Sequence, residues 1–454
     1  MFDLIVKNAD VVTSDGVKAL DFAVKDGKVA ALAQRGALTE AKKVLDLPGK
    51  LVFPGAIDTH AHLNDPGYNW RETFDCGTAA AAVGGYTTII DMPLQNDPPT
   101  TNAERIAAKL KHVGPKAYTD YCFWGGLTDY NFGDLEGEDA AGVVAFKSFI
   151  GPVSPDYVSL SYGQVREALE IIARFGGVAG FHCEDFSLIK WGEERAKRKA
   201  APGWQDFLDS RPLVAEYLAT EAVILLSKET GCRVHICHVS HPSVAQLVRD
   251  AQNNGIPVTA ETCSHYLTLT EDDVLEKGEL FKCAPPLRSK EARDLLWNYV
   301  IDGTFSGIAS DHSPCAPEEK DEKKHGVFGA WGGISGIQNC LQLCYNAGVV
   351  ERGIDPSVLA RVMSENAAKT FGIWGKKGAI LPGFDADFVV LDPEAQWEIT
   401  ADSLLYVNKI SAFVGMKGKG LPVQTYIRGQ LVAENGHVRA EMKGKGQYVK
   451  KIRA

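Results

Sequence analysis

Short apolar runs that are typical of strands occur eight times in the middle of the chain. This feature constrains the fold more than any other. Segments with helical periodicity separate several of these runs. The strand runs lie at residues 57–60, 87–92, 118–124, 143–149, 178–182, 233–239, 257–261 and 305–311. The helical segments lie at residues 102–112, 164–175, 214–230 and 242–253. Such units favour an α/β fold with a closed, TIM-like (β/α)8 barrel over an open sheet.

The two ends of the chain differ from this middle. Residues 1–53 and residues 376–454 alternate short apolar runs with turn residues, a pattern that is typical of small antiparallel sheets. We therefore predict a composite β-sandwich domain built from residues 1–53 and 376–454, beside a catalytic (β/α)8 barrel of residues 54–375. Two independent end domains are the alternative.

Composition excludes several classes of partner. The formal net charge of -10 argues against nucleic acid and against an anionic membrane surface. The sequence contains no run of about 18 apolar residues, and its start lacks the basic segment of a signal peptide. The ten cysteines are scattered without a CxxC pair, which predicts reduced thiols. We expect a cytoplasmic protein that binds a small molecule and neither nucleic acid nor membrane.

Six chemically competent side chains lie in the predicted barrel strands or at their ends. They are His60, His62, Lys147, His182, His238 and Asp311. Residues i and i+2 of a strand point to the same face, so the first two imidazoles can reach one metal ion. An isolated HxH pair is a weak signal, because most such pairs are loop or surface histidines. Active sites of such barrels lie at the carboxyl ends of the strands, so we expect the set to converge.

Each of these residues also has an ordinary structural interpretation. His182 can be a core histidine with its hydrogen bonds satisfied, and Asp311 can cap a helix. His238 competes with two neighbouring histidines for the same role. Strand alternation places His235 on the opposite face from His238, while His241 lies beyond the strand.

Lys147 is the most unusual of the set, because it lies within the apolar run Val-Ala-Phe-Lys-Ser-Phe-Ile. A lysine is rarely buried in such a strand unless its ammonium is paired or chemically changed. Chance assembly of all six residues at barrel strand ends is improbable, so the sequence predicts a metal centre there.

With these residues in place, the chain resembles the cyclic amidohydrolases of the amidohydrolase superfamily, which include hydantoinases, dihydropyrimidinases, allantoinases and dihydroorotases. The resemblance runs from end to end and covers both β-rich termini. It implies that His60, His62 and Asp311 bind one divalent metal ion and that His182 and His238 bind a second. It also implies a homotetramer.

The resemblance further implies that Lys147 is an N6-carboxylysine that bridges the two ions. Carboxylation converts an ammonium into an anionic oxygen ligand. Zinc is the expected metal, and Mn2+, Co2+ and Ni2+ suit the same ligands. The implied chemistry is attack on a ring amide carbon by a hydroxide that bridges the ions. Asp311 would serve as the catalytic base that takes the proton of the nucleophile and returns it to the departing ring nitrogen.

Smaller signatures separate the members of this family. Dihydroorotases carry an arginine where this chain has Asn64, and dihydropyrimidinases carry a tyrosine where it has Pro152. Several segments, such as residues 91–99, 261–267 and 330–336, are most similar to allantoinases. Allantoinases usually have arginine and asparagine where this chain has Tyr68 and Gln95, which is a departure from their pattern.

The resemblance thus implies hydrolysis of allantoin to allantoate. A hydantoinase or dihydropyrimidinase acting on 5-substituted hydantoins is the alternative, and a non-enzymatic scaffold of the same fold is the least favoured. By the same resemblance, backbone groups of Cys283, Ala284 and Gly332 hold the substrate ring, since planar N–H and C=O edges suit backbone partners.

Overall fold

The computed structural model describes residues 1–152 and 157–452. Its first seven strands precede the barrel. They are β1 (Phe2–Lys7), β2 (Asp10–Thr13), β3 (Gly16–Lys18), β4 (Leu20–Lys25), β5 (Lys28–Gln34), β6 (Ala41–Asp46) and β7 (Leu51–Pro54).

Eight parallel strands then form the barrel, as predicted, and they neighbour one another in chain order. They are β8 (Ala56–Ala61), β9 (Tyr86–Asp91), β10 (Asp120–Gly126), β11 (Ala145–Phe149), β12 (Val178–His182), β13 (Arg233–Ile236), β14 (Val258–Cys263) and β15 (Gly307–Ala309). The first and last strands meet through a bridge between Ala61 and His312, where the His62 amide donates to the His312 carbonyl at 2.8 Å. The carboxyl ends of all eight strands therefore open on one face.

Helices lie between the barrel strands and after the last of them. They are α1 (Phe74–Val83), α2 (Ala103–Val113), α3 (Leu135–Ala141), α4 (Tyr162–Arg174), α5 (Phe186–Ala196), α6 (Trp204–Ser210), α7 (Leu213–Thr230), α8 (Pro242–Asn253), α9 (Ser264–Thr268), α10 (Glu271–Lys277), α11 (Lys290–Ile301), α12 (Pro317–Lys320), α13 (Glu322–Gly329), α14 (Cys340–Cys344), α15 (Pro356–Ala360) and α16 (Asn366–Thr370). Residues Tyr345–Val350 and Arg361–Glu365 are π-helical. Capping side chains fix the residues at which helices begin. Asn102 caps α2, and Ser161 forms a capping box with Gln164 on α4. All four predicted helices are confirmed.

The chain ends with four more strands, β16 (Phe388–Glu398), β17 (Lys417–Ile427), β18 (Gln430–Glu434) and β19 (His437–Val438). One seven-stranded sheet has the order β19-β18-β17-β16-β7-β2-β3, so strands from both termini lie side by side in it. A four-stranded sheet with the order β5-β4-β1-β6 packs against it through Phe22 and Phe388, whose ring centroids lie 5.2 Å apart. The composite sandwich is thereby confirmed, while the exact domain boundaries stay a prediction.

The expectation of purely antiparallel terminal sheets is wrong. β1 pairs with β6 in parallel, and β2 pairs with β7 in parallel. Each of these connections passes through other strands instead of a tight hairpin, and the chain therefore returns in the same direction.

A buried ionic cluster joins the barrel to the sandwich. The Lys377 ammonium lies 2.5 Å from Asp120 of β10, 2.9 Å from Asp385 and 2.6 Å from Asp387. Arg428 adds a second cation to Asp120. The three carboxylates are close enough together to hold a metal ion, but an ammonium already fills the space between them. These buried ion pairs therefore link the barrel to the sandwich.

Candidate metal centre

The barrel brings the six predicted side chains to its carboxyl-terminal face. His60 lies on β8, Lys147 lies within β11, and His182 is the last residue of β12. His238 and Asp311 each follow the end of a strand by two residues. All six side chains line one cavity of about 370 Å³.

His60, His62 and Asp311 form the first cluster. The Nε2 atoms of His60 and His62 lie 3.3 Å and 3.6 Å from Oδ1 of Asp311. The candidate ligand atoms of the three residues all lie within 4.8 Å of one another. Burial alone would raise the pKa of Asp311, but the two imidazoles lower it to about 2, so the carboxylate is ionised at neutral pH.

His182 and His238 form the second cluster. Nδ1 of His182 lies 3.0 Å from Nε2 of His238, and the His238 ring centroid lies 5.3 Å from that of His60. Burial lowers the pKa of His182 and of His60, to about 4 in the latter, and lowers that of His238 well below its ordinary value. Burial thus keeps these imidazoles neutral, which is the form that binds metal ions.

Lys147 lines the same cavity as the two clusters and is fully buried. Its Nζ atom has no nitrogen or oxygen hydrogen-bond partner among the described residues, and it lies beside the Cys237 thiol and 5.0 Å from the centroid of the Phe149 ring. An unpaired ammonium at such a depth is costly. A carboxylated side chain whose oxygens bind metal ions removes that cost, so the surroundings of Lys147 fit the expected bridging ligand.

Buried carboxylates hold the histidines from behind. His60 Nδ1 donates to Glu261 at 2.8 Å, and His182 Nε2 donates to Glu184 at 2.8 Å. Burial alone would raise the pKa of Glu184, but Arg211 and His182 lower it to about 2. Each bond fixes which ring nitrogen faces the cavity, which is the usual arrangement behind metal-binding histidines.

Sequence reasoning missed Glu261, Glu184 and Arg211, whose guanidinium lies 2.5 Å from Glu184. The available signal was a carboxylate within two residues of His182 and another at the end of a predicted strand. The placement of His235 on the opposite face is wrong. Its Nε2 lies 3.3 Å from Glu261, the carboxylate that also accepts from His60, because the strand ends at 236 and alternation no longer applies at 238.

Another unpredicted group is His265, which is buried beside Asp311. Neither of its ring nitrogens has a hydrogen-bond partner among the described residues. Burial lowers the pKa of His265 to about 4, so this imidazole is neutral as well.

Backbone strain concentrates at this face. Eight of the described non-glycine residues have positive φ angles; Gln95 (57°), His238 (40°) and Asp311 (43°) line the cavity, and Asn64 (55°) donates to Gln95. Strained backbone of this kind persists where the surroundings fix it, and it clusters at functional sites. The helix-cap interpretation of Asp311 therefore does not describe its backbone.

Further residues line the cavity beside the two clusters. Around the clusters lie Cys283, Ala284 and Gly332, the three residues predicted to hold a substrate ring. The lining also includes the aromatic side chains Phe149, Phe207, Phe328 and Trp331 and the charged side chains Glu193, Arg211 and Lys282.

Comparison with known proteins agrees with this geometry. The model of the amidohydrolase family matches residues 51–432. Allantoinases of Escherichia coli O1:K1 / APEC and of Escherichia coli O81 (strain ED1a) are 37% identical over 457 residues, which cover 99% of both chains.

Two solved structures extend the likeness. The L-hydantoinase (dihydropyrimidinase) from Arthrobacter aurescens has a TM-score of 0.96 at 36% identity, over 99% of this chain and 100% of that one. The dihydropyrimidinase from Brevibacillus agri NCHU1002 has a TM-score of 0.91 at 27% identity, over 99% of each chain.

Proposed function

The chain belongs to the amidohydrolase family, and from this premise we propose that it opens the hydantoin ring of allantoin to give allantoate. It is a hydrolase of cyclic amides, as its full-length relatives are. The choice of allantoin is supported by the likeness to allantoinases along the whole chain and by Asn64 and Pro152, which differ from the signatures of other members.

We propose two metal sites in the cavity. His60, His62 and Asp311 would hold the first ion, His182 and His238 would hold the second, and carboxylated Lys147 would bridge them. When bound, such a pair of divalent ions polarises a carbonyl group and lowers the pKa of water from about 15.7 towards neutrality. Imidazole and carboxylate ligands suit zinc, which is the metal that we propose.

The carboxylate of Asp311 would move the proton. Its low pKa leaves it ionised and able to accept a proton from the attacking water. It would then return this proton to the ring nitrogen that departs, because an amide nitrogen leaves poorly as an anion. Asp311 is thus both a proposed ligand and the proposed catalytic base and acid.

Backbone groups would hold the ring. Cys283 and Ala284 lie on one segment of the cavity wall and Gly332 on another. The Gly333 amide donates to the Lys282 carbonyl at 2.9 Å, which fixes the two segments against each other. A planar ureide edge can then meet N–H and C=O groups whose positions are already set.

The observation that carries the proposal is the buried Nζ of Lys147, which has no nitrogen or oxygen partner among the described residues and belongs to the same cavity as both histidine clusters. A substrate panel on zinc-loaded enzyme tests the function. We expect a higher kcat/KM for allantoin than for 5-alkyl or 5-aryl hydantoins, and a preference for those hydantoins by tenfold or more would overturn the substrate assignment.

A hydantoinase acting on 5-substituted hydantoins is the second candidate. It is supported by the close structural likeness to an L-hydantoinase and by Tyr68, which replaces an arginine that is usual in allantoinases. A non-enzymatic scaffold would lack bound metal, so metal analysis of the purified protein separates it from both enzymes.

We also propose a cytoplasmic location and a homotetramer. All ten cysteines are free thiols, which supports a reducing compartment. Among residues 1–152 and 157–452, no helix has the length and apolarity needed to cross a membrane. Light scattering on the purified protein tests the tetramer.

A further inference from the structure

We infer that Glu193, Arg211 and Lys282 form a subsite for the ureido arm of allantoin and select that arm over apolar ones. This charged wall lines the cavity that contains the proposed metal ligands. The inference rests on the proposed function and adds to it the residues that determine the substrate.

Lys282 lies directly beside the backbone proposed to hold the ring. Its Cε atom lies 3.8 Å from the position that a Cβ atom would occupy at Gly332. Its ammonium donates to the carbonyl groups of Phe328 at 3.0 Å and Ala330 at 2.5 Å. An ammonium has three N–H donors, so these two bonds leave one donor for a ligand.

Arg211 contributes a second buried cation. Its guanidinium lies 2.5 Å from Glu184 and 3.5 Å from Glu193, and its Nε atom has no partner among the described residues. Glu184 also accepts from His182 Nε2, which holds the guanidinium at a fixed position relative to the proposed metal site. The charged wall is therefore built into the same network as the candidate metal centre.

Glu193 supplies the hydrogen-bond acceptor of the charged wall. Its Oε1 lies 3.5 Å from Arg211, and its Oε2 accepts from Lys197 at 3.0 Å. A carboxylate offers about four acceptor positions, so the side chain retains acceptor capacity towards the cavity.

A ureido group matches these three side chains. It presents one carbonyl oxygen, which the two cations can bind, and N–H donors, which the carboxylate can accept. An alkyl or aryl arm would leave the buried donors unpaired, and sites built for polar groups reject such analogues strongly. A carboxylate arm would meet the two cations but also the negative charge of Glu193.

Burial, together with the nearby charges of Arg211 and Lys320, lowers the pKa of Lys282 to about 7. A carbonyl oxygen placed against the ammonium would offset part of that burial.

The test compares kcat/KM for allantoin with kcat/KM for hydantoin, which has the same ring and no arm. We expect the allantoin-to-hydantoin ratio to fall about tenfold or more in Lys282→Met and in Glu193→Gln, because each loses a charged hydrogen bond to the arm. Glu194→Gln, next to Glu193 and exposed, and Lys277→Met, exposed on α10, are matched controls that should keep the ratio. Arg211 is not substituted, because its ion pair with Glu184 also helps to fix the position of His182.

Metal content and circular dichroism confirm that each variant is loaded and folded. If Lys282→Met does not fold, Glu193→Gln, at a partly exposed position, carries the test. An unchanged ratio in folded variants of an enzyme that hydrolyses allantoin overturns the subsite and leaves the proposed function standing. A wild-type enzyme that opens 5-alkyl hydantoins but not allantoin overturns both.

Discussion

Replacing Glu261 with glutamine removes one negative charge from behind His60 while the volume of the side chain stays almost the same. In the wild type the carboxylate accepts from His60 Nδ1 at 2.8 Å and from the Thr59 hydroxyl. Burial alone would raise the pKa of Glu261, but His235 and His60 lower it well below its ordinary value. The carboxylate is therefore ionised and makes the opposite ring nitrogen of His60 a stronger ligand.

The expected loss follows from the bond that is weakened. A hydrogen bond to a charged group contributes about 1.5–3 kcal/mol, and each 1.4 kcal/mol corresponds to about tenfold in an equilibrium constant. Glu261→Gln should therefore bind metal about tenfold to a hundredfold more weakly. An amide can still accept one hydrogen bond from the ring, so the loss should lie nearer the lower figure.

Competition with a chelator of known affinity measures this effect on the purified protein. Glu138→Gln is the matched control, because burial raises the pKa of Glu138 to about 9 and this side chain is already neutral at pH 7. An unchanged metal affinity in Glu261→Gln, or an equal loss in both variants, would refute the argument that the charge behind His60 sets its strength as a ligand.

Three further predictions concern other buried groups. Lys147→Ala should lose metal and activity, and short-chain carboxylates should partly restore both; full activity without them would contradict the bridging role. For Glu138 the folded pKa of about 9 exceeds the ordinary value of 4.5, so folding takes up a proton and wild-type stability falls as pH rises from about 4.5 to 9. Calorimetry should therefore show Tm falling relative to Glu138→Gln over that range, whereas parallel profiles would oppose this. Lys377→Met should lower the free energy of unfolding by about 3–5 kcal/mol, because it leaves buried carboxylates unpaired; urea titration against the neighbouring Lys376→Met measures it, and equal midpoints would contradict the cluster's role.

Much of the fold could be predicted because local and global signals agree in the barrel. Apolar runs end where polar residues begin, and a barrel places those ends together. Structural details that depend on residues far apart in the sequence could not be predicted. The parallel pairing of β1 with β6 follows from the path of the chain between them, which no local pattern records.

The candidate site also contains residues that could be predicted from the sequence and residues that could not. His60 and His182 were predicted because strand ends in a barrel converge whatever the side chains are. The roles of Glu261 and Arg211 were missed because they depend on which way a side chain points across neighbouring elements. The strand containing His235 was predicted to run to residue 239 but ends at 236, since the positive φ of His238 is invisible to hydrophobic alternation.

The bridge between Ala61 and His312 has a consequence for biosynthesis. His60 and His62 come from the first barrel strand and Asp311 follows the last, so the first proposed metal site straddles the seam where the cylinder closes. A nascent chain therefore holds an incomplete set of ligands until the ribosome has passed residue 311. Metal binding at the proposed site would therefore be a late event, and an ion bound there would link the first barrel strand to the segment that follows the last.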